Sequence, residues 1–333
     1  MTDQPFILAP PPVEATKPKP KRTPSAPVVD AEFIYLAFGG GVQSTALLLL
    51  WVNRDPRLGE VLARKFGPDA WPRLAIFADT GDEPEATYQH LWSMAELCEA
   101  RGLWLEVVHR DPDCKPMSQA LLEGDARRPD PPMYVRTSVG VMRDHPPMYL
   151  RTEKPKRAMI RRQCTGAFKI DPINRRLREL LGVKAVRDGR KVGVLLGIST
   201  DEMERADESA VPWIVTHHPL LWMGWSRNDC VNYLAAQGFP SVPKSACVFC
   251  PFRRDAEWAR MKAEAPRDFE RACAFDDAFR EVGVSGLKHD RGRGALYVHG
   301  SLLPLREVSF ATPQLDLLDA NDAPSECTGH CFM

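Results

Sequence analysis

Three consecutive glycines followed by an amide and two hydroxyls, Phe38-Gly39-Gly40-Gly41-Val42-Gln43-Ser44-Thr45, make the most chemically suggestive stretch of the chain. Glycines let a backbone turn sharply and approach a ligand closely, and successive N–H groups at a helix start favour an anion, above all phosphate. Ser44 and Thr45 can add hydroxyl donors. The G-x-x-x-x-G-K-[ST] spacing of a Walker loop and the G-x-G-x-x-G of a dinucleotide fold are both missing. A glycine run can also serve packing alone. A second stretch, Ala78-Asp79-Thr80-Gly81-Asp82-Glu83-Pro84-Glu85, ends another apolar run. Ligands of open α/β sheets bind beyond the carboxyl ends of strands, so the two turns can face one crevice, with Asp79 or Glu85 accepting from a ribose or an amine. Alternatively the acidic residues only favour the start of the helix after Pro84.

Thiols form the other chemical signal. Cys247-Val248-Phe249-Cys250 places two cysteines three apart, directly before Pro251. Two thiolates at that spacing can share a metal, and a closed zinc or iron–sulfur site asks for about four ligands. Without metal the pair can act in redox chemistry. Cys327 and Cys331 form a second pair near the C-terminus. A cysteine on a flexible arm can be a nucleophile, a persulfide carrier or a resolving thiol; the alternative is a polar terminus without a role. Cys98, Cys230 and Cys273 fall on expected helices and read as core residues, and Cys114 has no partner motif. The Trp and Met residues at helical spacing, such as Trp222, Trp225 and Trp258, read as core too.

The elements that must position these groups alternate. FIYLAF reads as a strand, GGG as a turn and STALLLLWVN as a helix; LAIFAD, a helix from about Pro84 to Arg101, LWLEVV and later KVGVLLGI repeat the pattern. Strands alternating with helices imply a mostly parallel sheet covered on both faces. PINRRLRELLG reads as a helix ending at Gly182, and SRNDCVNYLAAQG as one capped by Ser226. Two more helices follow in DAEWARMKAEAP and PRDFERACAFDDAFREVG, and ALYVHG with LLPLREV suggests a late β-hairpin. Residues 1–30 hold eight prolines and few large apolar side chains, the composition of a disordered tail. Residues 31–250 then form the main domain, with a Pro-rich insertion at about 110–163, and residues 251–333 a helical extension, hairpin and Cys-containing tail. The insertion repeats PPMYVRT as PPMYLRT, and residues 127–162 carry ten Arg/Lys against three Asp/Glu. It reads either as a solvated loop or as a mobile cover that attracts a phosphate-bearing substrate.

Forty-four Lys+Arg balance forty-four Asp+Glu, so no global field argues for nucleic acid or a membrane. No apolar run is long enough to span a bilayer, and no secretory signal stands at the start. Nine cysteines, an odd number unevenly spaced, suit a reducing cytoplasm.

FGGGVQST, ADTGDEPEATY, RRQCTGAFKIDPI, GISTDEMERA and HPLLWMGWSRNDCVNYLAAQGFPSVPKSACVFCPF occur in this order over roughly residues 33–255. Together they resemble the PP-loop superfamily, in particular its phosphoadenosine-phosphosulfate-reductase-like branch. The resemblance implies a five-stranded, Rossmann-like parallel sheet binding an adenine nucleotide, with Phe38, Gly39, Gly40, Gly41, Gln43, Ser44 and Thr45 around phosphates. Asp79, Thr80, Gly81, Glu85, Gly197, Glu202 and Arg205 would line the crevice, and Arg161, Arg162 and Lys169 would meet substrate phosphate. Two chemistries are open. One is cleavage of ATP with Mg2+, adenylating an acceptor that then receives sulfur from a sulfur donor. The other is reduction of an adenylyl sulfate, with Cys327 attacking sulfur and a thiol reductant completing the cycle. The resemblance also implies a [4Fe–4S] cluster on Cys164, Cys247 and Cys250, with zinc on those three and Cys230 as the alternative. This chain departs from the family pattern at Phe38, Gln43 and Ser199, where ATP-cleaving members carry serine and aspartate in the loop and arginine is common at the third position. Those departures keep a reading from another class open, a metal-stabilised module that binds nucleic acid without catalysis. The acceptor can be a nucleic acid or a small molecule.

Overall fold

The computed structural model describes residues 33–122, 134–137, 156–159, 164–182, 191–282 and 294–310. β1 (Phe33–Ala37) passes through the glycines into α1 (Val42–Val52), α2 (Pro56–Phe66) leads to β2 (Leu74–Asp79), and α3 (Glu85–Ala100) leads to β3 (Leu105–His109). Then come α4 (Met117–Leu122), β4 (Tyr134–Thr137), β5 (Lys156–Met159), a π-helical turn (Gly166–Ile170), α5 (Asp171–Leu181) and β6 (Val192–Leu195). A 3-10 turn (Thr200–Arg205), β7 (Ile214–His217), a single helical turn (Pro219–Trp222) and α6 (Arg227–Ala236) follow. α7 (Asp255–Glu264), α8 (Pro266–Val282) and β8 (Gly294–Tyr297) complete the order.

The main sheet is wholly parallel in the order β3-β2-β1-β6-β7. It is the α/β, Rossmann-like five-stranded sheet expected, with helices around it. β1 is central, Tyr35 standing opposite Leu74 on one side and Val194 on the other. All five of its residues are buried, which is why FIYLA is a continuous apolar run without alternation. α1 is buried at every position, as a helix apolar on all sides must be. Because β2 lies on one side of β1 and β6 on the other, the chain reverses its direction of winding at β1, and loops leaving β1 and β6 open a crevice there.

Two apolar clusters hold the molecule together. One joins α1, α2, α3 and α6 to β1 and β2 around Leu36, Leu48, Trp51, Leu62, Met94 and Cys230. The other joins α7 and α8 to the segment 247–249, Met117, Phe168 and Leu296. The helices after residue 251 therefore share a core with the turns that follow the sheet strands, and the unit Glu32–Met333 is not divided at 250. Ser226 caps α6, accepting from Asp229 N–H as its sequence suggested. Trp258 is fully buried, but Trp222 stands at the surface, 36% exposed, beside Phe66 and His217. No helix among the described residues is long and apolar enough to cross a membrane.

Two expectations for the chain's less regular parts need correction. The late hairpin does not form: β8 pairs antiparallel with β4, and the second half of the supposed hairpin holds a 3-10 turn, Leu305–Glu307. Asp276, fully buried on α8, explains the difference. Its carboxylate accepts from Val298 N–H at 2.8 Å and Leu305 N–H at 2.9 Å, pairing with Arg280 as well. Both backbone stretches are thus pinned to the helix and not to each other. The aperiodic insertion contains strand: β4 is the centre of a three-stranded sheet in the order β5-β4-β8. Its first repeat copy supplies β4, and the second, at 146–152, lies outside the described residues. β7 is a strand that residue patterns did not single out.

Replacing Asp276 by alanine leaves two buried N–H groups unpaired, at roughly 1–3 kcal/mol each. A lowered thermal midpoint, with amide exchange rising first at Val298 and Leu305, is the expected outcome.

Candidate functional site

The crevice at the strand reversal is built on a backbone contact. Gly197 follows β6, and a Cβ placed there would lie 2.8 Å from Ser44 N, 2.9 Å from Gln43 C and 3.0 Å from Ser44 Cα. Only glycine lets the loop after β6 rest on the first turn of α1. On the other side of β1, Gly40 takes φ +75° and sits under Ser245, whose Cβ and Oγ would be 3.6 and 3.7 Å from a Cβ at that position. The glycine loop is thus enclosed between the chain after β6 and the segment leading to Cys247. Gly41 N–H, at the start of α1, donates to Ser44 Oγ at 3.1 Å while that hydroxyl donates to Gly41 O at 3.1 Å.

The side chains of the loop divide between the crevice and the core. Gln43, fully buried, donates through Nε2 to Ser199 Oγ at 3.4 Å and Glu202 Oε2 at 3.2 Å, and accepts from Arg227 at 2.9 Å. Arg205 pairs with Glu202 at 2.7 Å. Asp201 accepts from Ser199 Oγ and from the N–H of Arg227. The network ties α1, the 3-10 turn and the start of α6 into one wall. Thr45, in contrast, does not face the crevice: its hydroxyl is 2.9 Å from Nε2 of the buried His90. Burial keeps His90 below the ordinary histidine range, so this is a neutral bond between α1 and α3. Phe38 turns inward as well, fully buried beside Phe77 and His90.

The turn after β2 forms the opposite wall. Asp79 is fully engaged on one oxygen, Oδ1 accepting from Gly81 N–H and from Tyr88 OH at 2.8 Å each, with His109 Nδ1 at 3.7 Å from the other. Burial and then Asp79 raise the Tyr88 phenol well above its ordinary range, leaving it a donor. Gly81, at φ +76°, is pressed so closely against Pro116 that a Cβ would lie 2.7 Å from its Cα. Glu85 faces away: its N–H is capped by Asp268 at 3.1 Å and its carboxylate accepts from Gln89 on the helix surface. Glu83 is the carboxylate of this turn that points toward Ser245 and Lys169. Its side chain is fully buried; Oε2 accepts from Ser245 Oγ at 3.2 Å, and Oε1 has no hydrogen-bond partner, with Lys169 Nζ 3.6 Å away. Beside it, Asp82 accepts from Ser118 N–H at 2.7 Å and Ser118 Oγ at 2.8 Å, with Arg271 at 3.7 Å, and burial lifts it to about 6.

Thr80 Oγ1 is 3.3 Å from Cys247 Sγ, which brings the thiol pair to the same wall. Cys250 N–H donates to Cys247 O at 2.9 Å and Val248 N–H to Asp82 O at 2.8 Å, so a tight turn carries both cysteines. Burial pushes the Cys247 thiol well above its ordinary value, Glu83 adds to the shift and Lys169 opposes it. Cys164 and Cys247 border the same apolar cluster. Cys230 belongs to the other one, fully buried on α6, so the four-cysteine zinc set fails at that residue. Among the described residues no three His, Cys, Asp or Glu side chains gather as metal ligands. An iron–sulfur cluster on Cys164, Cys247 and Cys250 would require the three thiols to converge and lose their protons. Arg161, Arg162, Cys327 and Cys331 lie outside the described residues.

The structure thus brings Gly39, Gly40, Gly41, Gln43, Thr80, Lys169, Gly197, Glu202, Arg205 and Cys247 together and turns Phe38, Thr45 and Glu85 away. Glu83, Arg227 and Ser245 are functional candidates that residue patterns did not select, although Glu83 and Ser245 lie inside the quoted motifs. Compared with known proteins, the chain matches no family model and no curated protein.

Two outcomes follow from this geometry. Gly197→Ala forces the loop off α1, and hydrogen exchange at Gln43 and Ser44 should rise by about tenfold or more, as expected of a lost local contact near 1.4 kcal/mol. Asp82, whose value is raised in the folded protein, stabilises it fully below its unfolded value near 4, and that contribution is lost as pH rises through about 6. Denaturant titrations of Asp82→Asn should accordingly lack a decline that the unaltered protein shows between these pH values, amounting to ~3 kcal/mol at 1.36 kcal/mol per unit.

Proposed function

We propose that this crevice binds an adenine nucleotide and that the protein is a PP-loop enzyme of sulfur chemistry, of the phosphoadenosine-phosphosulfate-reductase-like kind. The observation that carries the reading is the glycine loop at the strand reversal, leading into the N-terminus of the buried α1. Backbone donors and the helix dipole there suit phosphate, and Lys169 brings a cation to the opposite wall.

In the leading version, an acceptor oxygen attacks the α-phosphorus of ATP and pyrophosphate leaves; a sulfur nucleophile then displaces AMP from the adenylated acceptor. The chain's part is to hold the phosphates in line and to neutralise the charge that grows on them. Mg2+ would assist the leaving pyrophosphate, and a cluster on Cys164, Cys247 and Cys250 would supply sulfide. The seven described cysteines are all free thiols, which supports a reducing cytoplasmic setting. The acceptor is a small molecule or a nucleic acid, the latter suited by the basic segment 127–162. One observation favours a second version: Gln43 is neutral and engaged at both ends of its amide. An adenylyl sulfate reductase would use Cys327 to attack sulfur, releasing AMP and leaving a cysteine S-sulfonate for a thiol reductant.

Anaerobically purified protein, with iron, labile sulfide and zinc quantified, decides between these when pyrophosphate release from ATP and AMP release from adenylyl sulfates are measured on one sample. Pyrophosphate with iron and sulfide is the expected result. AMP from adenylyl sulfate selects the reductase, and zinc alone without turnover of either nucleotide overturns the enzyme reading.

A further inference from the structure

We infer that Glu83 is the protein's ligand for a divalent cation that enters together with the nucleotide phosphates. The inference rests on the nucleotide reading above and assigns that site's metal chemistry to one carboxylate.

Glu83 is fully buried and only half satisfied. Ser245 Oγ serves Oε2, while Oε1 has no hydrogen bond. A carboxylate oxygen buried without a partner is costly unless a charge or donor meets it. Lys169 stands at 3.6 Å, well beyond the 2.7–2.9 Å or so of a charge-assisted hydrogen bond. The ammonium therefore compensates the charge without saturating the oxygen.

The position of that oxygen points to its use. Ser245, which holds the other oxygen, packs over Gly40, so the carboxylate is one side chain away from the loop that would cradle phosphate. An anionic ligand in that loop competes with Glu83 for the one ammonium of Lys169, and a second cation between ligand and carboxylate relieves that competition. The remaining polar groups of the crevice are committed elsewhere: Asp79 to Gly81 and Tyr88, Asp82 to Ser118, Glu202 to Arg205 and Gln43, and Gln43 to Ser199 and Arg227.

Oxygen donors at this point suit Mg2+ or Mn2+ over softer metals. Mg2+ is commonly held by one or two carboxylates together with substrate phosphates and water, without an all-protein cage. A single carboxylate, with no group of three metal ligands among the described residues, is compatible with a metal held mainly by phosphates and water. Lys169 then shares the phosphates with the metal, as a lysine and Mg2+ do in other nucleotide sites.

The test is calorimetric titration of the full chain with ATP, once with Mg2+ and once with EDTA. The unaltered protein should bind ATP about tenfold or more tightly with the metal, and Glu83→Gln should lose that difference while binding ATP in EDTA at least as well as before. Fe2+ in place of Mg2+, with ascorbate and peroxide, provides a readout on the unaltered protein: backbone cleavage is expected near residues 80–85 and 244–247, and only when ATP is present. Metal dependence that survives in Glu83→Gln, equal affinity with and without metal in the unaltered protein, or cleavage elsewhere overturns the inference and leaves the nucleotide reading standing. Absence of ATP binding in every arm overturns this inference together with the ATP-cleaving version of the reading, and leaves the adenylyl sulfate version standing.

Discussion

The structure of the crevice depends on how closely the backbone of Gly197 approaches the first turn of α1. No other residue fits at 2.8 Å from Ser44 N, and the contact sets where the chain leaves β6. Ser199 and the 3-10 turn follow within a few residues, which places Ser199 and Glu202 on the amide of Gln43. Arg227 completes the wall from the start of α6, whose cap at Ser226 fixes the direction of that helix. A steric condition on one Cα thereby becomes an electrostatic arrangement of four side chains, Gln43, Ser199, Glu202 and Arg227.

The opposite wall is held by charges taken out of water. Arg271, on α8, reaches Asp82 at 3.7 Å, Asp268 at 3.1 Å and the carbonyl of Glu83 at 3.3 Å, and Asp268 in turn caps α3. Buried ions persist only when paired and hydrogen-bonded, so α8 cannot shift without leaving several of these groups unmatched. The helices after residue 251 act as a brace for the turn after β2.

Much of this fold was legible because the determinants are local. FIYLA, LAIFAD and VGVL are apolar runs too short for helices, and each is followed by glycine or an acidic turn, so strand order apart, the sheet could be read directly. β7 was not, since IVTH is short and half-buried and its pairing with β6 is what makes it a strand. The site was legible as a set of turns but not as a set of side chains. Thr45 carries the hydroxyl a phosphate would want, yet its position on a helix buried on all sides sends it to His90. Glu83 and Glu85 flank one proline, and only packing against α8 and Ser245 decides that the first turns inward to Ser245 and the second faces outward. The zinc set failed at Cys230 for the same reason, because residue type says nothing about which of two apolar clusters receives a buried thiol.

The three-stranded sheet carries a kinetic consequence. β8 pairs with β4 across more than 150 residues of chain, Tyr134 facing Tyr297, and Asp276 locks the segment after β8 only once α8 is in place. Closing so long a loop costs entropy that no local contact repays in advance. During synthesis, β4 and its near neighbour β5 leave the ribosome long before β8 exists. The residues up to β7 can assemble the parallel sheet meanwhile, so the side of β4 that β8 will cover spends that interval as an open edge, the kind of strand edge from which aggregation begins.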